Sequence, residues 1–293
     1  VANQRDIKNR IKSITNTKKI TSTMEMVSTS KMKKMQTRLE MSKPYEEKIN
    51  KIITNLITSG VAATHNPLFR EVANPTRILI LQITGNRGLC GSFNANIIDN
   101  TLKFKKDLIA QGKEVEIFNI GKKGQNYLNF INEKMYKTIS NKEDKLTFDD
   151  VIEIGNELTN SFLNVEFHEV YISYMKVITS TSQKPNIIRL LPISAEEETI
   201  AGFASEMKRE YIFEPNPDRI FSYILPLYLK VKLYTSFLES SYSEYFARRV
   251  AMKNATDAST DMIRNLTISY NRARQAKITN EIAEIVGGAA ALE

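Results

Sequence analysis

Glycine and proline are missing where they would matter most. From Asn3 to Ser59 there is no glycine and one proline, Pro44; between Pro217 and Val286 there is again no glycine, and inside that run only Pro226 interrupts. With almost nothing to break the α-helical repeat, both ends read as continuous helices of roughly 57 and 70 residues, spanning on the order of 85 and 105 Å. A compact body made from the intervening ~135 residues is only about 35–40 Å across. The helices are therefore expected to project from it as a rod.

Other scarcities narrow the class. A single cysteine, Cys90, excludes an internal disulfide framework and fits a reducing compartment. Two histidines, His65 and His168, beside that one cysteine are too few for a structural zinc site. No apolar run approaches ~18 residues, so no membrane-spanning helix is expected. The basic N-terminus lacks the apolar stretch of a secretory signal, and Val1 is expected to follow a removed initiator Met. What is present, 42% apolar and 25% charged residues, is enough for a sizeable core.

Charge is unevenly placed. Residues 1–59 hold 13 Lys and Arg against five Asp and Glu, a net of +8 that equals the whole chain's, so everything after Ser59 sums to zero. A positive rod implies an acidic partner surface, either nucleic acid or a ring of acidic protein subunits.

The C-terminal run carries a heptad seam, stepping four and three residues from Ile220 through Ile224, Leu227, Val231, Tyr234, Leu238, Ser241, Tyr245, Arg248, Met252, Ala255, Ser259, Met262, Leu266, Ser269, Ala273, Ala276 and Asn280 to Ala283. That period implies a left-handed coiled coil. Asn216 is the expected N-cap, with Pro217 at the first helical position, and Gly287-Gly288 the expected end. Pro226 is expected to bend the helix or to mark a late start.

The N-terminal helix has a broken stripe: Ile7, Ile11 and Ile14, then Ile20, Met24, Val27, Met35 and Leu39, then Tyr45, Ile49, Ile52 and Leu56. A helix this polar gains little alone. Its expected partner is the other end of the chain, in an antiparallel pair whose C-terminal helix overhangs by about 13 residues, roughly 20 Å.

Between them the period changes. Arg77–Thr84 and Glu114–Ile120 read as strands, Ser92–Gln111 as a helix, and Gly121–Gly124 as a turn. A capping box at Thr147–Asp150 precedes a helix to about Leu163, and His168–Thr179 and Asn186–Ile193 are further strands. Alternating strands and helices indicate a small α/β domain with a largely parallel sheet. The expected division is 1–59, 60–215 and 216–293.

Few residues offer chemistry. The loop Thr84–Ser92 (TGNRGLCGS) is glycine-rich and sits between a strand and a helix, where backbone N–H groups can cradle phosphate. Its G-x-x-G-x-x-G spacing is neither the dinucleotide fingerprint nor a Walker loop, so a tight turn is the favoured reading. Cys90 would need a histidine to act as nucleophile, and it reads instead as a small packed residue. Glu196–Glu198 reads as a solvated loop. Met24, Met26, Met32, Met35 and Met41 read first as core seam and second as an adaptable contact surface. Lys31, Lys33, Lys34 and Arg38, with Arg248 and Arg249, are either solvated faces or contacts for an acidic partner.

Five segments, in order along essentially the whole chain, resemble the γ subunit family of the F-type ATP synthase. Arg10–Met35 is similar to its K-I-T-x-A-M-E-M-V-A-x-S-K-M helix, and Arg87–Gly91 with Asn94 to its D-R-G-L-C-G-x-x-N loop. Tyr211–Pro217 is similar to Y-x-x-E-P-D-P, and Arg249–Asp257 and Tyr270–Leu292 to its C-terminal segments. Asn86, Ser92, Ser28, Thr29 and Asn216 depart from the usual residues, and the two-cysteine insertion of chloroplast members is absent, which points to a bacterial type.

The resemblance implies an antiparallel two-helix coiled coil formed by the N- and C-terminal helices plus a small Rossmann-like α/β domain. It implies a rotor shaft inside a ring of three α and three β subunits, its foot on the ε subunit and the c ring. Such a shaft has no catalytic site, cofactor, metal or membrane span of its own, and lies peripherally on the cytoplasmic face of the bacterial inner membrane. By motif, Met24, Lys19, Lys31, Arg87, Arg248, Arg249, Arg274, Gln275 and Thr279 would meet the β subunits, and Tyr211 and Glu214 would lie near ε and the c ring. The alternative reading is a basic coiled-coil protein associated with nucleic acid.

Overall fold

The computed structural model describes residues 4–58, 66–140, 148–193 and 217–290. The expectations for His65, Thr147, Glu196–Glu198, Tyr211, Glu214 and Asn216 lie outside the described residues. The chain divides into two compact units, Val1–Ser30 with Arg248–Glu293, and Lys31–Ala247. Helix α1 (Gln4–Thr58) and the C-terminal helix α5 (Pro217–Ala290) each contribute to both.

The unit Lys31–Ala247 is built on a five-stranded sheet. Its strands are β1 (Arg77–Ile83), β2 (Glu114–Ile120), β3 (Met135–Ile139), β4 (Glu169–Val177) and β5 (Gln183–Leu191), in the order β3-β2-β1-β4-β5. Strand β1 pairs in parallel with β2 and β4, and β2 with β3, while β5 runs antiparallel to β4. Helices α2 (Phe93–Ala110), α3 (Lys122–Phe130) and α4 (Phe148–Leu163) connect them.

Six of the seven residues of β1 are buried because both of its faces are covered. Leu79, Leu81 and Ile83 face a core completed by Val151, Ile154, Leu158 and Phe162 of α4 and by α5 from Leu225 to Phe237, with Ile49 and Ile53 of α1. Ile78 and Ile80 face the opposite side, toward Leu108 of α2. Along α1, Met35 and Leu39 pack on Leu238, Tyr242 and Tyr245 of α5. Glu46 pairs with Lys232 at 3.8 Å, so the two helices run antiparallel here.

In the unit Val1–Ser30 with Arg248–Glu293 the helices also pair antiparallel: Gln4 Nε2 donates to the Tyr270 hydroxyl (3.2 Å), and Thr21 Oγ1 meets Thr256 Oγ1 (2.8 Å). Among the covered positions of α1, Ile7, Ile11, Ile14, Lys18, Thr21, Glu25 and Ser28 form an unbroken four–three step.

The sequence stripe therefore needs correcting. Ile20 and Val27 stand outside the seam, and in the other unit Tyr45 and Ile52 are exposed as well. Met35 is buried, but Met26 and Met41 are exposed, so the methionines do not form one core seam. On α5 the expected seam holds from Ile224 to Ser259 and again at Leu266 and Ala273, but Ile263 and Tyr270 are covered in place of Met262 and Ser269, and Ala276, Asn280 and Ala283 are exposed. Polar and small residues in the seam carry too little hydropathy contrast to reveal their phase.

Three further differences concern elements. Gly121–Gly124 is not a free turn: Gly121 is the N-cap of α3, which the sequence reading missed together with β3. The glycine pair does not end α5, which continues to Ala290. Pro226 lies inside α5, not at a late start. No helix among the described residues is long and apolar enough to cross a membrane.

Gly121 is needed for two reasons: its φ is +102°, and a Cβ there would overlap the Thr84 carbonyl oxygen. Gly112, at φ +80°, has nothing within 4 Å of the same position. Gly121→Ala is expected to lose about 3 kcal/mol, and Gly112→Ala only about 1 kcal/mol. Urea midpoints of the two variants check this ordering.

Candidate functional surfaces: the outer helix face and the loop after β1

In the unit that pairs residues 4–30 with 248–290, the seam is filled with hydroxyls that bond back to their own helices. Ser28 Oγ donates to Met24 O (2.7 Å), Thr256 Oγ1 to Met252 O (2.9 Å), and Ser259 Oγ to Ala255 O (2.7 Å). These small groups satisfy themselves locally and bury little apolar area. Around these hydroxyls some large apolar residues stand outside the seam. Ile20 is 60% and Val27 51% exposed, and with half-buried Met24 they form an i, i+4, i+7 stripe on the outer face of α1.

The residues singled out by resemblance fall around this stripe and beyond it. Lys19 is exposed beside Ile20. Arg249 is half-buried, whereas Arg248 is only 6% exposed and belongs to the interior of its unit. Arg274, Gln275 and Thr279 are exposed, as is every residue of α5 from Arg274 to Gly287. The Thr279 hydroxyl bonds back to Gln275 O at 3.0 Å. In the other unit, Lys31 is half-buried with its ammonium 5.4 Å from the centre of the Tyr245 ring, a cation–π contact. Arg87 is exposed in the loop after β1.

That loop lies at the carboxyl edge of the parallel strands, where open α/β sheets take ligands. Several hydrogen-bonding groups of its stem are used within the chain. Gly85 N–H donates to Asn94 Oδ1 (2.8 Å), Lys122 N–H to Asn86 Oδ1 (3.0 Å), Lys123 N–H to Gly85 O (3.0 Å) and Gly124 N–H to Thr84 Oγ1 (3.0 Å). Loop and strand end thus cap the first turn of α3, the helix that follows β2, so those N–H groups are turned to the chain itself. The carboxylate of Glu244 on α5 also lies against Gly85, and a fixed negative charge there repels phosphate.

Cys90 is buried and accepts from Asn94 Nδ2 at 3.2 Å. His168 accepts the Thr76 N–H at Nδ1 (3.0 Å), beside the start of β1. The length of that strand, about 20 Å, keeps them apart. No cluster of potential metal ligands occurs among the described residues.

Sequence reasoning missed one buried ionisable group. Glu239 of α5 has its pKa pushed up from 4.5 to about 7, first by burial and then by the neighbouring Glu46 carboxylate of α1. Lys43 of α1, Lys176 of β4 and a hydrogen bond from the Tyr174 hydroxyl of β4 oppose the rise. Tyr174 is itself raised by burial and by Glu239, with Lys232 of α5 acting the other way. The only sequence signal was a glutamate inside a stretch that turns out to be covered on several sides.

Comparison with known proteins then gives consistent matches. The family model described as ATP synthase matches residues 3–292. An ATP synthase gamma chain of Leptospira biflexa is 38% identical over 292 residues, covering all of both chains. One from Herpetosiphon aurantiacus is 36% identical over 298 residues, covering 100% of this chain and 99% of its own. A chain of the Euglena gracilis mitochondrial ATP synthase, in an assembly with the c-ring, has a TM-score of 0.67 at 18% identity, covering 99% of this chain and 94% of its own; that likeness bears on the fold. Nothing among these relatives supports the nucleic-acid reading.

The Glu239 environment has a pH consequence. Between about 4.5 and 7 the unfolded chain releases this proton while the native chain keeps it, so stability falls as pH rises through that window, by about 3 kcal/mol in total. Glu239→Gln removes the titration. Its urea midpoint is expected to exceed that of the parent chain at pH 8 and to vary less between pH 5 and 8.

Proposed function

The chain belongs to the ATP synthase gamma chain family, and from that premise we propose that it is the rotor shaft of a proton-translocating F-type ATP synthase. The paired helices stand inside a ring of three α and three β subunits, and the α/β domain at the foot meets ε and the c ring. In this reading residues 1–59 and 216–293 are the shaft and 60–215 the foot. The assembly is peripheral on the cytoplasmic face of the bacterial inner membrane.

The observation that carries this reading is the inverted helix pair: hydroxyls in the seam, and Ile20, Met24 and Val27 outside it. Each such side chain gains about 1.5–3 kcal/mol when a partner covers it, so a surrounding sleeve offers what the pair does not supply itself. The shaft acts by differential contact. One asymmetric rod faces three chemically equal β subunits, each meets a different face, and each is biased toward a different affinity for nucleotide. Catalysis and cofactors then belong to the ring, and this chain contributes orientation.

Lys19, Met24 and Arg249 are the contacts on the outer face, and Arg274, Gln275 and Thr279 those of the exposed end of α5. Arg248 supports them from within. Lys31 and Arg87 provide positive charge toward the β subunits from the other unit, and Tyr211 and Glu214 serve the ε and c-ring side.

Purified α and β subunits are expected to co-elute with this chain as one complex whose ATPase turnover exceeds that of α and β alone. The chain by itself is expected to be inactive. Ile20→Asp with Val27→Asp should reduce retention in the complex at least about tenfold, the loss of one covered side chain; wild-type retention would remove the stripe from the interface. Arg274→Glu is expected to lower coupled ATP synthesis in energised vesicles while leaving the thermal unfolding of the α/β domain unchanged. Undiminished synthesis would count against that contact.

A further inference from the structure

The loop Gly85–Gly91 is fixed at its stem, and the way the stem is held sets the course of its exposed tip. The stem is held by Asn94 of α2 and by the first turn of α3 through the hydrogen bonds at Gly85 and Asn86. Further along, Arg87 and Leu89 are exposed, and Leu89 has φ 61°, a left-handed conformation that costs a leucine about 1 kcal/mol or more. Such a conformation persists only where its surroundings impose it.

A third support comes from α5. A methyl group at Gly85 would stand 2.8 Å from both Cδ and Oε1 of Glu244 and 3.0 Å from Oε2, so the carboxylate is seated on the loop backbone, and Gly85 beneath it is buried. Beside it lies a cavity of about 70 Å³, lined by Gly85, Asn86, Arg38, Ser240 and Glu244 among others. That space lets the carboxylate move aside if a methyl group takes its place.

We propose that Glu244 is a positioning residue: seated against Gly85, it braces the loop from α5 and thereby sets how Arg87 is presented to a partner. The inference rests on the reading of Arg87 as a partner contact. Under it, a side chain at Gly85 would push the carboxylate off its seat and release the brace.

The test uses the full chain, free and assembled with α and β, as Glu244→Ala, Glu244→Gln, Gly85→Ala and the double variant Gly85→Ala/Glu244→Ala. Amide hydrogen exchange at residues 85–92 is expected to accelerate about tenfold in Glu244→Ala and in Gly85→Ala, with β1 and β2 unchanged. ATPase stimulation should fall about threefold to tenfold in each, and the double variant should be no worse than the worse single one, because both changes break the same contact. Unchanged loop exchange in Glu244→Ala, or losses that multiply in the double variant, would overturn the brace. Glu244→Gln keeps the volume against Gly85 and is expected to exchange like the parent; if the alanine does not fold, Gly85→Ala is the deciding variant, and unchanged loop exchange there would overturn the brace. If the parent chain neither assembles nor stimulates, the rotor reading fails, while loop exchange in the free chain still decides the brace.

Discussion

Between Leu225 and Tyr245, helix α5 has to close two hydrophobic surfaces at once. Leu225, Leu229, Val231, Leu233 and Phe237 belong to the core shared with the sheet and α4, and Leu238, Tyr242 and Tyr245 to the cluster shared with Met35 and Leu39 of α1. A helix with partners on more than one side loses its polar face. Small residues must then fill the remaining directions, and Thr235, Ser236, Ser240 and Ser243 are all buried there. The constraint also explains why a carboxylate such as Glu239 is taken out of water, and why its proton is held to higher pH.

The stretches that pair residues 4–30 with 248–290 obey the opposite rule. Only two helices meet, and the seam between them is narrow, with hydroxyls returning their hydrogen bonds to the preceding turn. Burial per residue is low, and helices of this length gain little from propensity alone. Between Lys18 and Ser28, Ile20 and Val27 could have deepened the seam and instead are on the outer face. An arrangement that favours outside contact over internal packing makes sense for a chain whose stable environment includes other subunits.

Much of this was legible in the sequence because the relevant signals were local and strong. Missing glycine and proline marked α1 and α5 to within a few residues, and the apolar run Ile78–Leu81 gave a strand of the buried type. Harder cases failed for identifiable reasons. Helix α3 begins with Gly-Lys-Lys-Gly, which reads as a turn, because its cap comes from Thr84 and Asn86, dozens of residues away. Strand β3 lies at the edge of the sheet and is only half-buried, so its hydropathy contrast is weak. The stripe of α1 was misphased between Lys18 and Ser28 because hydropathy reads isoleucine and valine as inside and lysine, threonine, glutamate and serine as outside, whereas the four–three step continues through those polar positions. Glu244 was invisible altogether: a glutamate on a helix carries no mark that a glycine far back in the chain has made room for it.

The loop after β1 shows how a ligand-binding geometry can be turned inward. A parallel sheet, a glycine-rich turn and a following helix N-terminus are the parts from which phosphate sites are made. Here the N–H groups of Lys122, Lys123 and Gly124 at the start of α3, the helix after β2, are capped by Asn86, Gly85 and Thr84 of the loop after β1, and the carboxyl group of Glu244 of α5 lies against that loop. A diffusible anion would bind and leave, whereas a carboxylate carried by a helix is always present and fixes the loop to that helix. The same local physics that lets a nucleotide enzyme hold a substrate therefore serves as a permanent joint. Fold alone does not distinguish the two uses; the partner of each N–H does.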